Sequence, residues 1–311
     1  MTKTNFMRTG IIKAIQDLMR KDESVYFLTG DLGYSVLEEI EKEFSKRFIN
    51  VGIAEQNLIG IASGLALSGK KVYVYSIIPF ITMRCYEQIR NDICYHNLNI
   101  TILGVGAGLS YGVLGPTHFA LEDMAIMKVL PNMTIFSPAD ETEAVLGIKE
   151  LYKAQKPVYF RIGKKQEPVV YEKPYNLKIS KGNIITKGKD ITIFSTGPIL
   201  SEVIKAVNIL KSKRISACLI DIHTIKPIDK NLIVQESKFK KHVFIIEEHS
   251  AIGGLGSAVL EVTSNIKNFP NTTLIGTADR FIKDIGTQNY LRQITGLSSS
   301  KIIDKIIKTL S

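Results

Sequence analysis

The chain has 311 residues, 45% of them hydrophobic and 23% charged, enough to bury one large core or two medium ones. Forty Lys and Arg against 30 Asp and Glu leave a net charge of +10, yet the lysines are scattered and no arginine-rich block appears, so a nucleic-acid partner is not expected. No apolar run reaches membrane-spanning length and residues 1–10 hold no apolar signal core, so no membrane partner is expected and a reducing cytoplasm is the expected location.

Residues 9–19 carry apolar positions at helical spacing and run into Arg20-Lys21, charges that suit a helix end. Val25-Tyr26-Phe27-Leu28 reads as a buried strand closing on Thr29-Gly30-Asp31-Leu32-Gly33. A helix over 36–44 leads to Asn50-Val51 and then to Gly52-Ile53-Ala54-Glu55-Gln56-Asn57, where extended chain turns into a helix. Strands are expected at 71–75, 99–105, 133–136 and 158–161, with helices at 86–95, 122–129 and 139–151. The 99–105 strand runs into a glycine-rich segment ending in Gly115-Pro116-Thr117-His118. Residues 163–189 lapse into Lys, Pro, Gly and Asn. A second α/β unit follows, with strands at 191–195, 216–221, 242–247 and 273–276 and helices that include 201–210 and 255–263. The domains are expected at 1–170 and 185–311, joined by a linker over 171–184.

Strands that are nearly continuous in apolar residues and alternate with helices predict an α/β fold with parallel sheets covered on both faces. Ligands of such sheets gather at the carboxyl ends of the strands, so Asp31, Glu55, Phe80, Arg84, His118 and Arg161 become the candidate site. His96, His223, His242 and His249 read mostly as surface, loop or strand-end residues. The three cysteines, Cys85, Cys94 and Cys218, form no CxxC pair, so neither a disulfide framework nor a metal site of the chain's own is expected. Gly104-Val105-Gly106-Ala107-Gly108 and Gly253-Gly254-Leu255-Gly256 lack the dinucleotide spacing, and tight turns explain them better.

In order and spacing, a set of motifs resembles the carboxyl-terminal half of a transketolase, in the layout of the split, two-subunit enzymes. They are Gly30-Asp31-Leu32-Gly33, Gly52-Ile53-Ala54-Glu55-Gln56-Asn57, Phe80 with Arg84, Tyr86-Glu87-Gln88-Ile89-Arg90-Asn91, Gly115-Pro116-Thr117-His118 and Glu122-Asp123 in the first half. In the second half they are His223-Thr224-Ile225-Lys226-Pro227, Glu247-Glu248-His249-Ser250 with Gly253-Gly254, and Gly286-Thr287-Gln288. The resemblance implies a thiamine diphosphate-binding pyrimidine domain followed by a transketolase carboxyl-terminal domain. It implies that Glu55 hydrogen-bonds the aminopyrimidine ring and favours its imino tautomer, with Phe80 packed on that ring and Arg84 and Tyr86 flanking it. His118 would contact the substrate oxygen at the reacting carbon, Arg161 would grip a sugar phosphate, and Ser35 would be a weaker phosphate contact.

Departures from the family pattern bear on function. Transketolases usually place an aspartate before the Gly-Pro-Thr-His element to meet a substrate hydroxyl; this chain has Leu114, which accepts no hydrogen bond. It also lacks the histidine that pentose phosphate transketolases place upstream, near Gly106 here, so a deoxygenated or unusual sugar is expected. The sequence also contains no Gly-Asp-Gly and no Asn-Asn pair, the family's anchor for the metal and diphosphate. The resemblance therefore implies a separate amino-terminal subunit that holds Mg2+ and the diphosphate, in an α2β2 assembly transferring a two-carbon ketol unit from a ketose phosphate to an aldehyde acceptor. The alternatives are a subunit of the deoxyxylulose phosphate synthase or 2-oxo acid dehydrogenase type, and a non-catalytic regulatory or structural subunit.

Overall fold

The computed structural model describes residues 4–164 and 166–311, which form two α/β units around two main sheets. The first sheet has seven strands, in the order Thr224–Lys226, Thr134–Phe136, Val158–Ile162, Ile100–Val105, Lys71–Ile77, Val25–Thr29 and Phe48–Asn50. Six of them are parallel, and every residue of Ile100–Val105 is buried. A strand covered on both faces has no solvent side to alternate with, which explains the unbroken apolar runs. The seventh, Thr224–Lys226, comes from the second half of the chain and pairs antiparallel with Thr134–Phe136, so the two units share a sheet.

The second sheet has five strands, in the order Thr272–Thr277, His242–Ser250, Ile191–Ser195, Ala217–Asp221 and Asn183–Thr186. Asn183–Thr186 is an antiparallel edge strand that begins inside the stretch read as linker. Its neighbours Tyr171 and Tyr175 are also fixed: their hydroxyls donate to Asp221 Oδ2 at 2.8 Å and Glu143 Oε1 at 2.5 Å. The stretch looks like linker in composition because its polar groups serve buried carboxylates rather than water.

Local signals place most elements well. The first helix is Met7–Lys21, and Leu255–Thr263 forms as expected. The stretch expected as one helix over 86–95 is a single turn, Tyr86–Gln88, followed by the π-helix Ile89–Tyr95. Its apolar residues repeat as in a helix, and spacing alone does not separate the two windings. His223 falls in the short loop between the strands Ala217–Asp221 and Thr224–Lys226 and is fully buried beside the Phe136 ring, because its own segment supplies the shared edge strand. Among the described residues no helix is long and apolar enough to cross a membrane.

Candidate active site

Because six strands of the first sheet are parallel, the segments that follow them emerge at one edge of the sheet. Glu55 opens the helix Glu55–Leu67, where the amide groups of the first turn favour an acid. Its carboxylate is only 1% exposed, and Oε2 accepts from Arg84 Nη1 at 2.6 Å. The neighbouring Gln56 donates to the Arg84 carbonyl at 3.2 Å, a second tie between the same two segments.

Arg84 and Phe80 come from the segment after the strand Lys71–Ile77. Pro79 sits in the first turn of the short helix Ile78–Thr82, where its missing N–H costs nothing. That turn presents the Phe80 ring, and the Arg84 guanidinium lies over it, 4.8 Å from the centroid. The guanidinium is thus a flat cation held between an aromatic face and a buried carboxylate.

His118 arrives from the glycine-rich segment after Ile100–Val105. Its ring meets Phe80 edge-on at 5.1 Å and Tyr111 at 5.7 Å, and Nδ1 lies 3.0 Å from Thr117 Oγ1. Lys164 Nζ stands 4.0 Å over the Tyr111 ring. Burial, and then the charge of Lys164, hold the His118 pKa below the usual imidazole value. Burial pushes the Tyr111 phenol up to about 12, so it stays protonated. Beside this array lies a largely apolar cleft of about 420 Å³ that touches Pro79, Met83, Pro116 and Thr117 and is walled by Phe281 and Ile282 of the second unit.

The structure therefore joins Glu55, Arg84, Phe80 and His118 into one array. Leu114 is on the same loop and exposed, its amide donating to Tyr111 O at 2.7 Å. The other expected residues are engaged in contacts of their own. The Tyr86 hydroxyl donates to Ile126 O at 2.9 Å, so it is spent on packing rather than aimed at the array. Ser35 and Asp31 lie on an exposed turn with positive φ, where the Ser35 amide donates to Glu38 and the Asp31 amide to Asn50.

Arg161 is a correction. It is 1% exposed, with Nε on Asp123 Oδ2 at 2.7 Å and Nη2 on the carbonyls of Ala120 and Glu248 at 2.8 and 3.1 Å. Tyr159 also donates to Asp123, at 2.6 Å. The strand Val158–Ile162 runs one residue past Arg161, so that side chain is inside the sheet layer and tethers other elements instead of meeting an anion. The first cation beyond the strand is Lys164, which sequence reasoning passed over. The strand-end rule would have found it had the strand been drawn one residue longer.

Two family patterns cover most of the chain: Transketolase, pyrimidine binding domain, over residues 4–168, and Transketolase, C-terminal domain, over residues 180–302. The chain belongs to the transketolase family. It is similar to a Methanocaldococcus jannaschii protein provisionally named as a transketolase C-terminal section, 37% identical over 98% of this chain and 96% of that one. It is 36% identical to one subunit of the apulose-4-phosphate transketolase of Phocaeicola vulgatus, over 88% of this chain and 87% of that one. Among solved structures it resembles a split gene transketolase described as an inactive beta4 tetramer, with a TM-score of 0.88, 35% identity, and coverage of 98% of this chain and 97% of that one. The chain is thus a subunit of the split-transketolase kind, and the family implies dependence on thiamine diphosphate.

The residues present fit the pyrimidine end of that cofactor. An aminopyrimidine is flat, and its ring nitrogen donates a hydrogen bond once it carries a proton, so in that form it can make the two contacts that the Arg84 guanidinium makes here, one on Phe80 and one on Glu55.

Proposed function

We propose that this chain is one subunit of a two-subunit, thiamine diphosphate-dependent transketolase that moves a two-carbon ketol unit from a ketose phosphate to an aldehyde. The observation that carries this reading is the buried Glu55 carboxylate at a helix start, holding a flat cation against the Phe80 ring. When bound, thiamine diphosphate supplies the nucleophilic carbon and the electron sink that ketol cleavage requires. Glu55, buried at the start of its helix, hydrogen-bonds the ring nitrogen of the aminopyrimidine and favours its imino tautomer. Phe80 packs against the ring once Arg84 has moved off that face.

His118 is kept neutral at neutral pH, so it can accept from or donate to the substrate oxygen at the reacting carbon. Lys164, in place of Arg161, takes the sugar phosphate near Tyr111. Leu114 offers no hydrogen-bonding group, which favours an acceptor or donor without the usual hydroxyl at that place. A relative named for apulose 4-phosphate supports a ketose phosphate donor. The diphosphate and Mg2+ are held by an amino-terminal subunit, and the two kinds of chain assemble as α2β2.

The test is co-purification with the amino-terminal subunit, then a panel of ketose phosphates and aldoses. Ketol transfer is expected from the complex and from neither chain alone. Activity of the single chain would overturn the two-subunit reading. Release of carbon dioxide from pyruvate would move the complex to the synthase or dehydrogenase class, and undiminished turnover by a Glu55→Ala complex would revive a non-catalytic role.

A further inference from the structure

The loop that carries Tyr111 and His118 closes on itself. Ala120 N donates to Gly108 O at 2.9 Å, so residues 108 and 120 form its neck. Both sides of that neck are held by one strand of the other unit, His242–Ser250. On one side Leu109 N donates to Glu248 Oε1 at 2.7 Å. On the other, Ser250 N donates to Leu121 O at 2.7 Å, and Arg161 Nη2 bridges the carbonyls of Ala120 and Glu248.

The Glu248 carboxylate is itself held fast. It is 4% exposed and accepts from Gln288 Nε2 at 2.8 Å and Arg292 Nε at 2.6 Å, with Arg292 Nη2 on the same oxygen as Nε. The approach leaves no room for a side chain on the loop. Gly108 has φ +61, and a Cβ there would lie 2.6 Å from Glu248 Cγ. Further along, Gly286 N donates to Gly112 O at 3.2 Å, and a Cβ on Gly112 would collide with the Gly286 carbonyl oxygen.

Burying a carboxylate and a guanidinium costs them their hydration, and the cost is offset only when their donors and acceptors are used. An apolar contact would hold a loop at lower cost, but it would not fix an amide to one point. We propose that Glu248 is a positioning residue: fixed by Arg292 and Gln288, it pins the neck of the histidine loop, so the carboxyl-terminal domain sets where His118 and Tyr111 stand. Its bearing on catalysis rests on the transketolase reading, while the pinning itself does not.

The two are tested apart. The first measurement is the titration of the five imidazoles by NMR on the full chain, with no partner or substrate present. In Glu248→Ala the released loop lets water reach His118, and its pKa is expected to rise toward the ordinary value of about 6.5. His242, at the start of the strand that carries Glu248, is also held low by burial and is expected to stay put. Glu248→Gln, which keeps the shape, is expected to give a smaller rise of the same sign. An unmoved His118 would overturn the proposal, and so would equal shifts at His118 and His242, which mean general loosening. If Glu248→Ala does not fold, Glu248→Gln and Gln288→Leu carry the same comparison.

In the complex with the amino-terminal subunit, the variant is expected to lose roughly 10–100-fold in kcat with a smaller change in KM. A shifted His118 with unchanged kcat would uphold the pinning and count against the catalytic place given to His118.

Discussion

Arg84 Nη1 lies 2.6 Å from Glu55 Oε2 while its guanidinium covers the Phe80 ring, so one side chain engages both groups assigned to the cofactor ring. Arg84 is 45% exposed and Glu55 is 1% exposed, which makes the arginine the partner able to leave. For the assembled complex, Glu55→Gln is expected to lower ketol transfer by roughly 10²–10⁴-fold, the usual yield of a positioned acid or base. Assembly, read by size-exclusion chromatography, is expected to be unchanged. Loss of assembly together with activity would show a structural role instead.

Arg161→Ala is expected to destabilise the chain by roughly 3–5 kcal/mol, because Asp123 would be left charged and buried without its partner. Urea unfolding of the isolated chain checks this. Arg161→Lys is expected to recover only part of the loss, since an ammonium cannot reproduce the fork that reaches Asp123 and two carbonyls. Unchanged stability with a raised KM for sugar phosphate would restore the anion-clamp reading.

Acid is expected to weaken the fold through His223. Burial lowers its pKa from 6.5 to about 4, and among the described residues its Nε2 has no hydrogen-bond partner. Below about pH 6.5 the unfolded chain takes up a proton that the native state refuses, so stability present above that pH is lost as the pH falls toward 4. The full effect is roughly 3 kcal/mol. Denaturation midpoints measured down that range are expected to fall less steeply in His223→Gln.

Alkali acts on a different pair. Glu143 and Asp221 are both buried, and burial raises both, Asp221 from 3.8 to about 7. A raised carboxyl pKa contributes stability that is full below 3.8 and is lost as the pH rises through about 7. Asp221→Asn can still accept from Tyr171 and can donate to Glu143, with no proton to lose. Its melting temperature is expected to exceed the parent's above about pH 8 and to fall less between neutral and alkaline pH. An identical pH profile would remove Asp221 from the titrating pair.

Leu114→Asp is expected to shift the complex toward 2-hydroxyaldehyde acceptors, since the new carboxylate can accept from the acceptor hydroxyl. Leu114 is 48% exposed, so the change is expected to leave stability within about 0.5 kcal/mol. Competition between 2-hydroxy and 2-deoxy aldehydes measures the preference directly, and equal ratios for variant and parent would sink the idea.

Much was legible in the residues alone. Apolar runs bounded by glycine turns marked the parallel strands, because burial on both faces leaves no alternation. The ordered motifs around Glu55, Phe80 and His118 marked one edge of the sheet, because a parallel sheet brings its turns together. The resemblance to split transketolases, carried by those motifs, implied a second subunit. Tertiary structure decided what local pattern does not encode. Arg161 and Lys164 are three residues apart, and only the true end of the strand separates a buried tether from a cation beside the site. The same holds for His223 and Glu248: what each one does depends on contacts made across 40 or more residues of chain, as with Thr224–Lys226 joining Thr134–Phe136, Gln288 holding Glu248 and Glu248 reaching Leu109. Periodicity reports which way a side chain faces, and only the packed fold determines what it meets there.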